Sequence, residues 1–371
     1  MKLSLKVLSV CACAFMNIQS ASAAALAHDD LTAAAAGAAN AVVAGADDIS
    51  AAFYNPAGLA WQEGVQAMVG SQSNSRGISG GAAGSGDGNM RDLSVFAISS
   101  LPEGGSWGVS GSIATPYITQ TNWNNQFAQA IGRTDMQFQR YSLDTFYRVN
   151  NTLGIAAGLD IYDTGISLAS NASSFSASGW SSVGGHIAAR WQFMPFWMMG
   201  ATYRQGADVS VNNAAGDSFA MTLPDELTIA VAHDLMDDEI RLELAVKRST
   251  WSSLQDLTVE NNGSILQSLP TNLKDTTDAS MGLTWFWRDR TQLRFGYSYL
   301  QGANDLSAYQ PAIADLTGHK LTTGFGGTMS GMHLDVSASY ALYPQTTVTG
   351  VNADSYKDSL LTWMFTLSKT F

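Results

Sequence analysis

The sequence predicts an all-β protein: a fourteen-stranded antiparallel transmembrane β-barrel with an N-terminal small-residue, partly helical hatch in its lumen. Three observations predict this fold: a shortage of charge, a period-two alternation of apolar residues, and connections that alternate in length. Charged residues make up 13% of the 371 residues, against about 25% in an average soluble domain. After the N-terminus, no stretch approaches the ~18–20 apolar residues that a spanning helix needs. A lipid-facing surface is therefore expected from strands.

The N-terminus predicts export. Two lysines precede an apolar run over residues 7–18, and an Ala-Ser-Ala cleavage site ends at Ala23. These are the three parts of a secretory signal peptide, so residues 1–23 are predicted to be removed. Cys11 and Cys13 leave with them, so no disulfide or thiolate chemistry is expected. Losing two lysines takes the formal net charge from −12 to −14, which argues against nucleic acid as a partner.

Residues 64–371 are predicted to form the barrel. In 293–299, for example, Leu, Phe, Tyr and Tyr alternate with Arg, Gly and Ser. Such alternation puts one set of side chains on each face of a strand, and the small, polar set is typical of a barrel interior with lipid outside. The predicted strands are 64–75, 89–102, 106–120, 134–149, 152–169, 181–194, 197–211, 224–236, 239–253, 277–289, 291–302, 319–330, 332–343 and 359–371.

The connections and the C-terminus favour an outer-membrane barrel. Short turns such as 150–151 and 330–331 alternate with longer loops such as 121–133, 170–180, 212–223 and 254–276. Short periplasmic turns and long outer loops are the rule in such barrels. The chain ends on an alternating segment that finishes at Phe371. Tryptophans at 107, 191, 197, 285, 287 and 363 are predicted near strand ends, as in an interfacial girdle.

The forty residues 24–63 do not fit the strand pattern and are predicted to be a plug in the lumen. Their second half reads Ala-Asp-Asp followed by Phe-Tyr-Asn-Pro-Ala-Gly-Leu-Ala. This string resembles the N-terminal hatch of the FadL/TodX family of outer-membrane transporters of long-chain fatty acids and hydrocarbons. The segments 222–228 (TLPDELT), 251–257 (WSSLQDL) and 318–326 (GHKLTTGFG) are similar to later parts of the same family. The resemblance spans essentially the whole chain after residue 23.

The resemblance implies a fourteen-stranded barrel that is closed by a hatch and takes up apolar molecules from outside. The implied hatch and gate residues are Phe53, Tyr54, Asn55, Pro56, Ala57 and Gly58. It also implies lateral release through a gap at a kinked third strand, for which Gly108 and Gly111 are the candidates. Ligand capture is predicted at the loop after that strand, where Trp123, Phe127 and Ile131 would share a helix face, or else pack the loop onto the barrel rim.

No catalytic, metal or cofactor site is predicted. The five histidines lack metal-ligand spacing, and no G-x-S-x-G motif is present. Inward positions carry both signs of charge, which predicts paired charges around the hatch. The alternative is that one arginine binds a substrate carboxylate. The inward set is Arg140, Asp144, Arg148, Asp160, His186, Arg190, Arg204, Arg241, Glu243, Arg294, His333 and Asp335.

The predicted function is passive transport of hydrophobic compounds, either fatty acids, alkanes or aromatics, by a monomer in a Gram-negative outer membrane, in contact with outer-membrane lipid. No nucleotide-binding motif is present to supply energy. Two alternatives remain: a surface adhesin or receptor, which longer outer loops would favour, and a general porin, which a hatch argues against.

Overall fold

The computed structural model describes residues 26–371 apart from 83, 89–92, 124–131, 171–173, 237–238, 255, 262–263, 288–290 and 351. Its strands are β1 (Gly64–Gly80), β2 (Gly84–Asp87), β3 (Leu93–Leu101), β4 (Trp107–Asn122), β5 (Arg133–Arg148), β6 (Leu153–Ala169), β7 (Ser174–Trp180), β8 (Gly184–Met194), β9 (Trp197–Arg204), β10 (Asp208–Asn212), β11 (Asp217–Thr222), β12 (Glu226–Leu235), β13 (Ile240–Ser249), β14 (Asp256–Asn261), β15 (Ser264–Pro270), β16 (Thr276–Phe286), β17 (Thr291–Leu300), β18 (Gly318–Met329), β19 (Met332–Thr347) and β20 (Ser355–Thr370).

The helices are short. They are α1 (Ala33–Gly37), α2 (Ala51–Tyr54) and 3-10 turns at Pro56–Trp61, Trp251–Ser253 and Pro311–Ile313. Across the described ranges, no helix is long and apolar enough to cross a membrane.

Fourteen of the described strands close into one antiparallel barrel, which confirms the predicted fold. The order is β1, β20, β19, β18, β17, β16, β13, β12, β9, β8, β6, β5, β4 and β3, which returns to β1. At the closure, Ala67 of β1 lies opposite Lys369 on one side and Ile98 on the other. The two-residue turn at Ser330 and Gly331 has both φ angles positive, which matches the twist that a tight hairpin requires.

The barrel wall alternates as the sequence predicts. On β18, Leu321 is 64% exposed and Phe325 48%, while Lys320 and Thr322 on either side of Leu321 point inward and are buried. Apolar side chains thus face lipid, and small or polar ones face the lumen. Trp107 and Trp191 lie at or near the turn ends of their strands, as expected of a girdle, but Trp363 lies in the middle of β20. The prediction for Trp363 is wrong because β20 begins earlier, at Ser355.

The outer loops contain strands that the sequence reading treated as loops or as extensions of barrel strands. β10, β11, β14 and β15 form a separate antiparallel sheet, and β7 pairs with the outer end of β6. The predicted strand 197–211 is in fact two strands, because residues 205–207 leave the barrel ladder after Arg204. In the separate sheet, Val209, Phe219 and Val259 are buried. The alternating burial of these residues arises in this second sheet, whose side chains alternate with the same period of two as those of the barrel wall.

The interior at the outer end of the barrel is an apolar cluster, here named the outer core. It joins the barrel wall, the separate sheet and one N-terminal residue. Its fully buried large members include Leu26, Tyr117, Phe138, Tyr162, Phe219 and Trp251. Tyr117 stands edge-on to Trp251 with ring centroids 5.9 Å apart, and its ring lies 6.0 Å from that of Tyr162.

Candidate functional site

Residues 26–63, here named the lumen segment, lie inside the barrel against strands on every side. Inward-facing glycines of the wall allow the backbone of the lumen segment to approach the strands closely. A Cβ on Gly200 of β9 would lie 2.2 Å from the carbonyl oxygen of Val43, and one on Gly154 of β6 2.8 Å from that of Ala57. Gly282, Gly296 and Gly324 are crowded in the same way by residues 37–41. The segment therefore fits flush against the wall.

The predicted motif around Asn55 is packed at the centre of the lumen segment. The Asn55 amide donates to the carbonyl oxygens of Val43 (2.6 Å) and Ala189 (3.0 Å), and its oxygen accepts the Ala57 N–H at 3.2 Å. Asn55 thus caps the 3-10 turn that Pro56 begins, while also joining that turn to the wall. A Cβ on Gly58 would lie 2.2 Å from the Ala46 carbonyl oxygen, so only glycine fits there.

The aromatic pair of the motif has two different environments. Phe53 is buried beside the wall, and its carbonyl oxygen accepts from Arg140 at 3.4 Å. The Tyr54 hydroxyl accepts the Leu31 N–H at 2.9 Å and donates to the Asp29 carbonyl oxygen at 2.8 Å. Burial raises the pKa of Tyr54 far above its ordinary value, so the phenol stays protonated and can donate. Tyr54 therefore ties α2 to the start of the segment.

Ion pairs fasten the same start to two strands of the wall, β13 and β18. Lys247 Nζ lies 2.6 Å from Asp29 Oδ2, and Lys320 Nζ lies 2.6 Å from Asp30 Oδ1. Burial alone would raise the pKa of Asp30, but the Lys320 ammonium outweighs it and holds that pKa at about 2. The carboxylate is therefore ionised at neutral pH. Ser339 and Asn40 also donate to it.

A polar cavity of about 90 Å³ lies between the lumen segment and the wall. Charged side chains of both signs line it, among them Asp29, Arg140, Glu226 and Lys247. Beside it, His186 lies between two carboxylates, with Nε2 2.6 Å from Asp144 and Nδ1 2.8 Å from Asp160.

Arg204 and Arg140 pair with the same Asp160, and Arg294 pairs with Asp335 at 2.7 Å. The prediction of paired charges in the lumen is confirmed. The described residues contain no group of His, Cys, Asp or Glu arranged to hold a metal ion.

The third barrel strand, β4, is irregular, but not where the glycines predict. Its register against β5 shifts between Ala114 and Tyr117, whereas Gly108 and Gly111 are regularly paired. Pro116 lies within this shift. It has no N–H, so it cannot donate a hydrogen bond to a neighbouring strand, and the regular pairing is interrupted there. Gly108 has another role: a Cβ there would lie 2.5 Å from the Phe146 ring. The kink prediction at Gly108 and Gly111 is therefore corrected to residues 114–117.

Beyond this shift β4 leaves its neighbour β3. The described β3–β4 pairing covers only Phe96–Ser100 against Val109–Ile113. Above it, β4 bonds to the lumen segment instead: Ile118 N–H donates to the Leu26 oxygen at 2.8 Å, and His28 N–H to the Pro116 oxygen at 2.7 Å. Among the described residues, this break between β3 and β4, here named the β4 window, is filled by residues 26–28, and above it β4 pairs with β2 at Asn122 and Asp87.

The β4 window lies where the lining of the lumen changes character. Tyr117 is opposite Phe138 on β5, and Ala114 is opposite Arg140. Phe138 belongs to the outer core, whereas Arg140 lines the polar cavity. The wall therefore opens at the boundary between an apolar and a charged compartment.

Trp123 is fully buried, although the sequence assigns it to ligand capture. Its Nε1 donates to the Pro311 carbonyl oxygen at 2.8 Å, and its ring stands edge-on to Tyr356 at 5.9 Å. Phe127 and Ile131 lie outside the described residues. Thr121 and Arg76 donate to the neighbouring carbonyls of Ala312 (2.9 Å) and Ala314 (2.7 Å). Loop 303–317 is thereby held in the outer mouth.

A plugged fourteen-stranded barrel with an apolar outer core and a break in its wall defines a membrane channel of the outer-membrane class. A sequence model of the family described as outer membrane protein transport protein (OMPP1/FadL/TodX) matches residues 182–366. The chain belongs to this family of transport proteins, and its place is the outer membrane of a Gram-negative bacterium.

Solved structures share the fold. A Pseudomonas aeruginosa FadL homologue is 15% identical, with a TM-score of 0.83 over 95% of this chain and 100% of its own. The CymD monoaromatic hydrocarbon channel is 16% identical, with a TM-score of 0.70 over 92% and 97%. The Pseudomonas putida toluene transporter TodX is 15% identical, with a TM-score of 0.65 over 87% and 94%. No curated protein matches the chain significantly in sequence.

Proposed function

We propose that this protein carries hydrophobic small molecules passively across the outer membrane and releases them sideways through the β4 window. The position of that window, at the boundary between the outer core and the charged cavity, is the observation that carries the proposal. The structural relatives named as a FadL homologue, a monoaromatic hydrocarbon channel and a toluene transporter support a hydrophobic cargo. Fatty acids, alkanes and aromatics are the cargo classes.

The outer core supplies the affinity. A hydrophobic solute gains about 25 cal/mol for each Å² of apolar surface it buries, and the outer core consists of the aromatic and aliphatic side chains against which a solute would bury that surface once they move apart. Below it, the same solute would have to displace water from charged side chains without giving them partners in return. The solute is therefore stopped at the level of Tyr117 and Phe138, where the window offers a path to lipid.

Residues 26–63 act in this proposal as the hatch, and residues 26–28 as the stopper of the window. Asn55 and Pro56 fix the turn of the hatch against the wall, so replacing both with alanine should slow uptake while the barrel still folds. At the outer mouth, capture by Trp123, Phe127 and Ile131 requires loop 303–317 to move first, because that loop covers Trp123.

A disulfide can lock the window shut. Ala27 and Tyr117 face each other across an antiparallel bridge, flanked by hydrogen bonds that make them a non-hydrogen-bonded pair. The Cα atoms of such a pair lie about 4.5 Å apart, within the range of a disulfide. The chain has no cysteine besides Cys11 and Cys13 of the predicted signal peptide, so the double variant Ala27→Cys with Tyr117→Cys forms one defined bond.

The measurement is uptake of a hydrophobic fluorescent tracer by cells or vesicles with the bond oxidised and then reduced. We expect uptake to be blocked in the oxidised protein and to return on reduction. The single variant Tyr117→Cys controls for the lost ring. Equal uptake in the two redox states, with the disulfide verified by mass, would contradict release through the window.

A further inference from the structure

We infer that Glu243 and Arg190 of the wall are positioning residues that clamp the hatch at Ala44–Gly45 and so keep the lumen closed to small water-soluble solutes. Around the barrel, Arg190 on β8 lies three strands from β4 and Glu243 on β13 lies six strands from it. The clamp belongs to the seal, whereas the proposed function concerns the passage of hydrophobic cargo.

Glu243 supplies the acceptors of the clamp. It points inward from β13 and is 2% exposed. One carboxylate oxygen accepts the N–H of Ala44 at 2.6 Å, and the other accepts the N–H of Gly45 at 2.8 Å. A carboxylate that receives one donor on each oxygen from adjacent peptides fixes both the position and the orientation of the turn.

Arg190 of β8 supplies the donors to the same two residues. Its Nε lies 3.0 Å from the Ala44 oxygen and 2.9 Å from the Gly45 oxygen. Its guanidinium also stacks over the Trp61 ring at 4.9 Å, at the end of the lumen segment. The N–H groups of this buried turn are therefore satisfied by a carboxylate of the wall, and its C=O groups by a guanidinium of the wall.

The clamped turn is the partition between two cavities. On its outer side, Asn40 and Val43 line the polar cavity described above. On its other side, Val42, Gly45 and Glu243 line a second, smaller cavity of about 40 Å³, which reaches Phe286 near a periplasmic turn. Charged side chains line both cavities, and the backbone at 42–46 lies between them.

Close fit at Gly45 supports the same role. A Cβ there would lie 2.9 Å from Glu243 Oε2 and 3.1 Å from Arg241 Nη1. An alanine would push the turn away from the clamp while both wall residues stay unchanged. The seal can thus be tested from the wall and from the hatch independently.

The test is ion conductance of the purified full-length protein in a planar bilayer, with arabinose-driven swelling of proteoliposomes as a second readout. Glu243→Gln keeps the shape but turns an amide donor toward one of the two N–H groups. We expect about a tenfold rise in conductance, the population shift that follows from losing one charge-assisted hydrogen bond. Arg190→Gln should have a similar effect, and Arg190→Lys, which keeps charge and donors, a smaller one.

Glu103→Gln is the matched control, because Glu103 is an exposed residue on the turn between β3 and β4. It removes the same charge and should leave conductance unchanged. Wild-type conductance in Glu243→Gln, in protein whose heat-modifiable gel band shows a folded barrel, would overturn the clamp. If Glu243→Gln does not fold, Gly45→Ala decides: a leak supports the clamp, and a tight channel overturns it. Tracer uptake by the wild type is measured separately, so failure of the transport proposal leaves this comparison intact.

Discussion

The outer and inner halves of the same lumen are built from the same strands but have opposite chemistry. On β5 the inward positions run Met136 and Phe138 in the outer half and then Arg140, Ser142 and Asp144 in the inner half. On β6 the change falls between Tyr162 and Asp160. Tyr162 and Arg140 are directly paired, so the boundary crosses both strands at one level.

This contrast teaches how one barrel can bind an apolar solute and still resist general leakage. The outer half is held together by burial of aromatic and aliphatic surface, which depends little on geometry. In the inner half, buried ion pairs and hydrogen bonds, which depend strongly on the presence of both partners, add to the apolar packing of the lumen segment against Met68, Phe146 and Ala156. Substitutions in the two halves are therefore expected to fail in different ways.

The largest effect is expected from breaking a buried ion pair of the inner half. Lys320→Met leaves the buried Asp30 without its cation. The free energy that holds the lumen segment in place should fall by about 4 kcal/mol. Faster proteolysis within residues 26–63 of the folded barrel is the measurement. Lys274→Met is the control, because the Lys274–Asp305 pair is exposed and such pairs contribute about 0–1 kcal/mol. Equal protease resistance in the two variants would contradict the role given to Lys320.

The next effect tests the outer half. Leu257→Ala opens a cavity in the outer core where the separate sheet packs, and should lower the free energy of unfolding of that cap by about 3 kcal/mol. Ile265→Ala, on the adjacent strand but 65% exposed, should change it by less than about 0.5 kcal/mol. Denaturant titration followed by tryptophan fluorescence compares them. A similar decrease in the free energy of unfolding for both variants would show that the separate sheet is not held by the outer core.

A pH titration of the unmodified protein tests the same ion pair of the inner half. The pKa of Asp30 is lowered from 3.8 to about 2, so its stabilising contribution is complete above about pH 4 and is lost as the pH falls through 2. The contribution corresponds to about 2 kcal/mol. Proteolysis of residues 26–63 by an acid-active protease should therefore accelerate from pH 4 to pH 2. In Lys320→Met this acceleration should shrink, and an unchanged profile would assign the pH dependence to another group.

The smallest effect is expected at the mouth. Trp123→Phe keeps an aromatic ring against Tyr356 but removes the Nε1 donor to Pro311, a loss of about 1 kcal/mol. Loop 303–317 should exchange its amide hydrogens about fivefold faster, while the lumen segment should not change. Hydrogen-exchange mass spectrometry measures both. Identical exchange in the loop would remove Trp123 from the set of residues that hold it.

The barrel could be predicted from sequence because period-two alternation acts locally and repeats along the whole chain. The outer sheet was missed because Val209 and Val211 alternate in the same way as the wall residues, and nothing local distinguishes a second sheet from a continued strand. The break in β4 was assigned to glycines, but Pro116, which lacks a donor, is the residue that interrupts the ladder.

The site was predictable only in part. Asn55 and its neighbours are contiguous in sequence, so their grouping was visible. Glu243 and Arg190 meet the turn at residues 44–45 only after the chain has closed on itself, and no spacing in the sequence reports that meeting. Trp123 was assigned to ligand contact because an aromatic loop residue gives no sign of whether another loop will cover it.

The contacts of the lumen segment also constrain the order of folding. Asp30 bonds to Lys320, 290 residues away, and Ala44 bonds to Glu243, 199 residues away. Contacts of such long sequence separation form late, because the intervening chain must first be ordered. The lumen segment is therefore expected to reach its final place only after β13 and β18 have joined the wall. Closure of the barrel pairs Ala67 with Lys369, which lie still further apart in the sequence, so closure and the seating of the lumen segment are both expected late in assembly.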